Sequence, residues 1–231
     1  MDAKRLLSGV TALMRLPFHL PLLLLLAPAP AHGQSVLRFN ENRGQWPSQV
    51  VFRAETRDAV LWCENGSLLI DRFDAPAIAK GHAGHGAAGG PPASRTIRHH
   101  VLRLRFMETT GPVRSEGLGV QRGTSNYFLG NDPAQWAANV HAFSAVVQHG
   151  LYPGIDLRWR QGGEVLKYDL VVAPGADPAR VLFTYDGAHG MRLVDGRLVV
   201  ATSLGDLIDE VPLAYQLVNG VQQRVDCRYH L

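Results

Sequence analysis

The sequence predicts an all-β fold, antiparallel and β-sandwich-like, on three observations. Turn dipeptides recur between short apolar runs: Asn65-Gly66 in "AVLWCENGSLLIDRF", Asp195-Gly196 in "MRLVDGRLVV" and Asn219-Gly220 in "YQLVNGVQQRV". A type I′ turn needs positive φ at both central residues, which Asn-Gly and Asp-Gly meet at least cost, so each pair predicts a hairpin. The runs also alternate. Leu102, Leu104 and Phe106 oppose Val101, Arg103 and Arg105; Ile155, Leu157 and Trp159 oppose Asp156, Arg158 and Arg160; Leu166, Tyr168, Leu170 and Val172 oppose Lys167 and Asp169. That period of two is the mark of a sheet with one face buried and one solvated. Helix signals are confined to "DPAQWAANV", with Asp132 as N-cap and Pro133 in the first helical position, and to "ADPAR" at 176–180, each sufficient for a turn or two.

At the N-terminus, Lys4, Arg5 and Arg15 precede or flank an apolar run from Leu16 to Leu26, and "APAPAHG" supplies Ala31 and Gly33 at −3 and −1 of a cut before Gln34. This is the tripartite pattern of a secretory signal peptide, 1–33, and its apolar core is short of the roughly 20 residues that span a bilayer. The expected location is exported: secreted, or at the cell envelope or surface. No later run approaches a membrane span. The leader carries three of the 23 basic residues and one of the 20 acids, leaving 20 against 19. The mature charge is then about +1, which gives no electrostatic footprint for nucleic acid.

The remaining 231 − 33 = 198 residues, 34–231, suffice for one large core. They are interrupted at 75–96 by "APAIAKGHAGHGAAGGPPASRT", whose Gly, Ala, His and Pro content predicts a flexible insertion between strands. Cys63 and Cys227 lie in expected strands of an exported chain, where a disulfide is permitted. Either that bridge or two separately buried thiols fits the sequence.

No catalytic, cofactor-binding or metal-ligating residue is expected. His82, His85, His99 and His100 cluster, but the first two sit in the glycine-rich insertion without the supported frame a metal site needs. Glu41, Asp132, Asp156, Glu164 and Asp169 are the acids available for hydrolysis. Asp156 and Asp169 stand beside Arg158 and Lys167, as surface ion pairs would. Nucleophile-elbow, phosphate-loop and EF-hand patterns do not occur. Asn65-Gly66-Ser67 is formally a glycosylation sequon, but it coincides with a hairpin turn. Of the four tryptophans, Trp62 and Trp159 fall in strands and are expected in the core. Trp46 and Trp136 flank turns and are the candidates for stacking on a sugar ring. "NYFLGNDPAQW" (126–136) reads as a strand end, a Gly-Asn turn and a helical turn anchored by Trp136.

Four stretches, "FNENRGQWPSQVVFRA" (39–54), "NYFLGNDPAQWAANVHAF" (126–143), "LYPGIDLRWR" (151–160) and "KYDLVVAPGADPARVLFTYDGA" (167–188), occur in this order. Together they resemble an uncharacterised N-terminal domain of large bacterial secreted and cell-surface proteins. In that family the domain commonly precedes β-propeller-type (SBBP) repeats, PKD-like modules or a sorting segment. The resemblance covers nearly all of 36–231 and implies an all-β extracellular module without assigned catalytic residues or cofactors. The histidine-glycine insertion and Cys63 depart from it. The chain ends at "RVDCRYHL", inside an expected strand, so its C-terminal end is expected to be truncated.

The function expected is a non-enzymatic, structural or adhesive module. Its partners would be downstream repeat modules or other surface components. A carbohydrate-binding module with glycan partners is the alternative, and a glycoside hydrolase on a β scaffold stands behind it.

Overall fold

The computed structural model describes residues 4–5, 37–74, 97–163 and 165–231. The expected leader (apart from Lys4 and Arg5), the 75–96 insertion with His82 and His85, and Glu164 lie outside them. The strands are β1 (Lys4–Arg5), β2 (Phe39–Glu41), β3 (Val50–Glu55), β4 (Ala59–Glu64), β5 (Ser67–Phe73), β6 (His99–Phe106), β7 (Arg114–Tyr127) and β8 (Ala137–Tyr152). They continue as β9 (Ile155–Gly162), β10 (Val165–Val172), β11 (Leu182–Asp186), β12 (Gly190–Val194), β13 (Arg197–Ala201), β14 (Leu207–Asp209), β15 (Ala214–Val218) and β16 (Val221–Val225). Two 3-10 turns, Pro133–Gln135 and Pro178–Arg180, are the only helical elements among the described residues. No helix there is long and apolar enough to cross a membrane.

Eleven strands form one antiparallel sheet in the order β1-β11-β6-β5-β4-β3-β2-β8-β9-β10, with β7 on β8. Strand β8 is the hinge of this sheet. One edge carries β7 along most of its length, and the other meets β2 at Ala142 and Phe143, then β9 from Ala145 onward. Irregularities in the β7–β8 register between Val120 and Thr124, and between Ser125 and Tyr127, add the local twist that bulges impose. The sheet curls into a half-barrel. In the short pairing of β1 with β11, β1 belongs to the expected leader.

The alternating residues fall as their period requires. Leu102, Leu104, Phe106, Ile155, Leu157 and Trp159 are buried in one core with Phe39, Phe52, Leu61 and Leu68. The three-stranded sheet β12-β13-β14 adds Leu198 and Val200 to that core, so the layering is sandwich-like. Arginines on the opposite face are bound by cross-strand acids: Arg105 to Asp186 at 2.7 Å and Arg160 to Asp169 at 2.5 and 2.9 Å.

All three predicted dipeptides turn hairpins, but not in the same way. Asp195-Gly196 (φ 50°, 79°) and Asn219-Gly220 (φ 52°, 78°) have positive φ at both residues, as type I′ requires. At Asn65-Gly66 only Gly66 (φ 76°) does, the signature of a type II turn. The Gly66 N–H donates to Gln148 Oε1 and its carbonyl accepts from Phe106 N, which fixes this turn against two other strands. Pro153-Gly154 closes a fourth tight hairpin, with Tyr152 paired to Ile155 and Gly154 at φ 72°.

Candidate functional site

Side-chain alternation decides which groups face outward on β2, β3 and β4. Because Phe39, Phe52, Ala54 and Leu61 point into the core, Arg38, Asn40, Arg53, Glu55 and Trp62 occupy the outer face. The loop before β3 lays Trp46 against them. Asn42 holds that loop: its Nδ2 donates to the carbonyls of Trp46 (3.1 Å), Pro47 (3.0 Å) and Val50 (2.8 Å), and its Oδ1 accepts from Gly44 N and Trp46 N. Trp46 meets Trp62 edge-on at 6.0 Å and Tyr127 at 5.0 Å. The Arg53 guanidinium lies 4.9 Å from the Trp62 ring and 5.6 Å from Trp46, and binds Glu55 at 2.5 Å.

Above this cluster is a groove of about 310 Å³ lined by Arg38, Asn40, Glu55, Ser125 and Tyr127. Burial raises the Tyr127 phenol above its ordinary range; Glu55 raises it further, while Arg53, a Ser125 hydrogen bond and Arg38 oppose. On the other side of Trp46 a wider hollow of about 560 Å³ is lined by Glu41, Asn42, Ser48 and Ser115 among others. There Glu41 is already bound to His141 (3.1 Å) and Asn42 is spent on its loop.

The tryptophan assignment is thereby corrected. Trp46 is 8% exposed, because Asn42 folds its loop back over the sheet, so it is no free stacking face. Trp62, expected in the core, is half-buried on the outer face. Trp136 is exposed, donates from Nε1 to Gly130 O at 3.2 Å and stands edge-on to Phe128 at 5.6 Å. It anchors the predicted corner, where Asp132 caps Ala134 N; the strand itself stops at Tyr127, before Phe128 and Leu129.

A second constellation is enclosed. Asp209 Oδ2 on β14 accepts from Tyr168 Oη of β10 (2.9 Å) and Tyr185 Oη of β11 (3.4 Å), with the Tyr229 hydroxyl beside them. Burial raises the Asp209 carboxyl above the usual aspartate range, although all three phenols pull it down. Burial and the Asp209 charge push all three phenols up. Sequence alternation places Tyr168 inside but gives no sign that an aspartate 41 residues later would meet it.

Three further networks tie elements together. Gln148, fully buried, donates to Glu64 O at 2.5 Å and to Ser115 Oγ, while Glu64 accepts from Ser67 Oγ and pairs with Arg103. His149 lies between Asp156 (3.0 Å) and Glu116 (3.4 Å) on the surface. Buried His100 faces the Gly187 carbonyl through Nε2 (3.1 Å) and Ser203 Oγ through Nδ1 (2.9 Å), and Ser203 N–H also points at Nδ1 (3.2 Å). Gly187 is needed there: at φ 87°, an added Cβ would stand 2.6 Å from Val101 O. His99 turns outward to Asp71.

Four of the acids singled out for hydrolysis fall among the described residues and are taken locally: Glu41 by His141, Asp132 by its cap, Asp156 by His149 and Gly150 N, and Asp169 by Arg160. The expected Asp156–Arg158 and Asp169–Lys167 pairs give way to these cross-strand and turn partners. Cys63, buried, and Cys227, half-buried, are both unbonded, the second of the two alternatives above. Burial pushes both thiols up, most for the enclosed Cys63. No group of three or more His, Cys, Asp or Glu that could hold a metal occurs among the described residues.

No curated protein and no solved structure matches this chain. A family model does match, over residues 39–231, which is most of the chain and takes in every strand from β2 to β16. The chain belongs to the DUF7948 family, a domain of unknown function.

Proposed function

We propose that this chain is an exported, non-enzymatic structural or adhesive module of a bacterial secreted or cell-surface protein. It would present β-propeller-type repeats or PKD-like modules that follow it. The observation that carries this reading is how the polar groups are used. Asp132, Asp156, Asp169, Glu41 and Glu64 each bind a neighbour within the fold, so their geometry supports holding strands together rather than turning over a substrate. A glycosidase instead needs two carboxylates facing each other across open space at a set separation. Export is supported by the charged, apolar and small-residue segments of 1–33.

Expression with its own leader in a Gram-negative host, followed by fractionation and intact mass measurement, tests the reading. Export predicts a periplasmic or extracellular species beginning at Gln34. A full-length cytosolic product beginning at Met1 would overturn it.

A further inference from the structure

We propose that the outer-face groove between β2, β3 and β7 is a saccharide-binding site, taking one neutral sugar ring of a longer glycan through Arg38, Asn40, Glu55, Ser125 and Tyr127. The proposal rests on the reading of the chain as an adhesive module and names the ligand class of that surface. A sugar ring presents hydroxyls that both donate and accept, beside an apolar C–H face. The groove offers the complement: Arg38 donates only, the Glu55 carboxylate accepts only, Asn40, Ser125 and Tyr127 do both, and Tyr127 adds a ring.

Arg38 and Asn40 retain bonding capacity, whereas Ser125 and Tyr127 are bonded to each other and Glu55 to Arg53. Asn40 Nδ2 reaches the carbonyls of Arg38 and Arg53 only at 3.4 Å, and Arg38 reaches Arg122 O at 3.4 Å, both beyond the usual range for a strong bond. Asp209, by contrast, is met by three phenols. The floor of the groove is held in advance. Asn42 fixes Trp46, Trp46 braces Tyr127 edge-on, and Arg53 is fixed by two indoles and Glu55. Little side-chain freedom remains to be lost on binding. A neutral ring needs no charge of its own here: Arg53 and Glu55 offset each other, and Arg38 is left to donate to ring hydroxyls. The volume, about 310 Å³, stands at the small end of ligand sites and suits one ring rather than an enclosed oligosaccharide. A single ring of about 12 heavy atoms in such a site binds with a Kd of roughly 1 mM.

The test is a heteronuclear NMR titration of the folded chain with cellotetraose, xylotetraose, chitotetraose, mannotetraose and galactotetraose, each to about 20 mM, well above that Kd. At least one probe should shift the Asn40 side-chain amide together with the Ser125 and Tyr127 backbone signals. Tyr127→Ala should weaken that binding about 10-fold or more, and Asn40→Ala about 5-fold, as expected for lost ring contact and hydrogen bonds. Trp136→Ala should leave it unchanged. If none of the five probes moves these signals, or if Tyr127→Ala and Asn40→Ala bind as the parent does, the site is overturned. Mass spectra of the recovered probe separate this outcome from the reading beneath it: cleaved tetrasaccharide would end the non-enzymatic reading while leaving the groove in place.

Discussion

Asp209 and Arg53 are both charged groups set among aromatic side chains, yet one cluster is closed and the other open. Around Asp209 the rings present their polar handles. Tyr168 and Tyr185 donate hydroxyls to the carboxyl, Tyr229 adjoins it, and the bonds link β14 to β10 and β11. Around Arg53 the rings are indoles, which can offer a cation only their π faces and so satisfy none of its N–H groups. Its Nε is buried without a hydrogen-bond partner. An anion among phenols becomes a structural knot, whereas a cation among indoles leaves the polar rim of the groove unspent. The same residue class thus builds a joint on one side of the sheet and a surface on the other.

The strongest way to break this comparison is Asp209→Ala. Three phenols would lose their common acceptor at the contact between the small sheet and the large one. Removing one member of a buried, hydrogen-bonded network costs about 2–4 kcal/mol. Denaturant unfolding should show a loss of that size, with Asp209→Asn, which keeps an acceptor oxygen, losing about 1 kcal/mol or less near pH 4. Equal losses for the two variants would mean that the phenols do not depend on that oxygen.

Acidity sharpens the same contrast. The folded-state pKa of Asp209 is raised above the ordinary value of 3.8, so the folded state holds this proton more tightly than the unfolded chain does. The stabilisation is therefore fully present below about 3.8 and is lost as pH rises through the raised folded value. Asp209→Asn cannot titrate. Its unfolding free energy should gain on the parent as pH climbs through this window. Paired denaturation curves from pH 4 to 8 check the sign; a parent advantage over Asp209→Asn that widens with rising pH would contradict it. Arg53→Leu should cost about 0.5–1 kcal/mol, chiefly the cation–π contacts, since the partly exposed ion pair with Glu55 adds little.

Much of the fold was legible because its signals are local. Period-two alternation placed Leu102, Leu104, Phe106, Ile155, Leu157 and Trp159 in the core, and three dipeptides located three hairpins. The Pro153-Gly154 turn carried an equally local signal inside "LYPGIDLRWR". The candidate site was not legible, because it depends on which distant strands become neighbours. Asn40 meets Arg53 only once β2 pairs with β3, and Tyr127 joins them only through the β7–β8 ribbon. Trp46 misled for a related reason. It follows a turn, which suggests exposure, but Asn42 four residues earlier binds three carbonyls and folds the loop over the sheet. An asparagine at such a position is a recognisable turn-former, and it was the available clue.

The two tryptophans once paired as a sugar platform give the smallest expected effect and its control. Trp136 is 43% exposed and Phe128, its edge-on neighbour, 63% exposed, so truncating Trp136 removes one hydrogen bond to Gly130 and one mostly solvated aromatic contact. Trp136→Ala should cost only about 0.5 kcal/mol in global unfolding. Trp46→Ala, which empties a buried ring position against Trp62, Tyr127 and Arg53, should cost about 3 kcal/mol. Local opening separates the pair further. The corner at 128–136 is tied by its own short-range bonds, so losing Trp136 should speed proteolytic nicking there while the unfolding midpoint hardly moves. Unchanged nicking would mean that Asp132 and the Pro133–Gln135 turn hold the corner without Trp136.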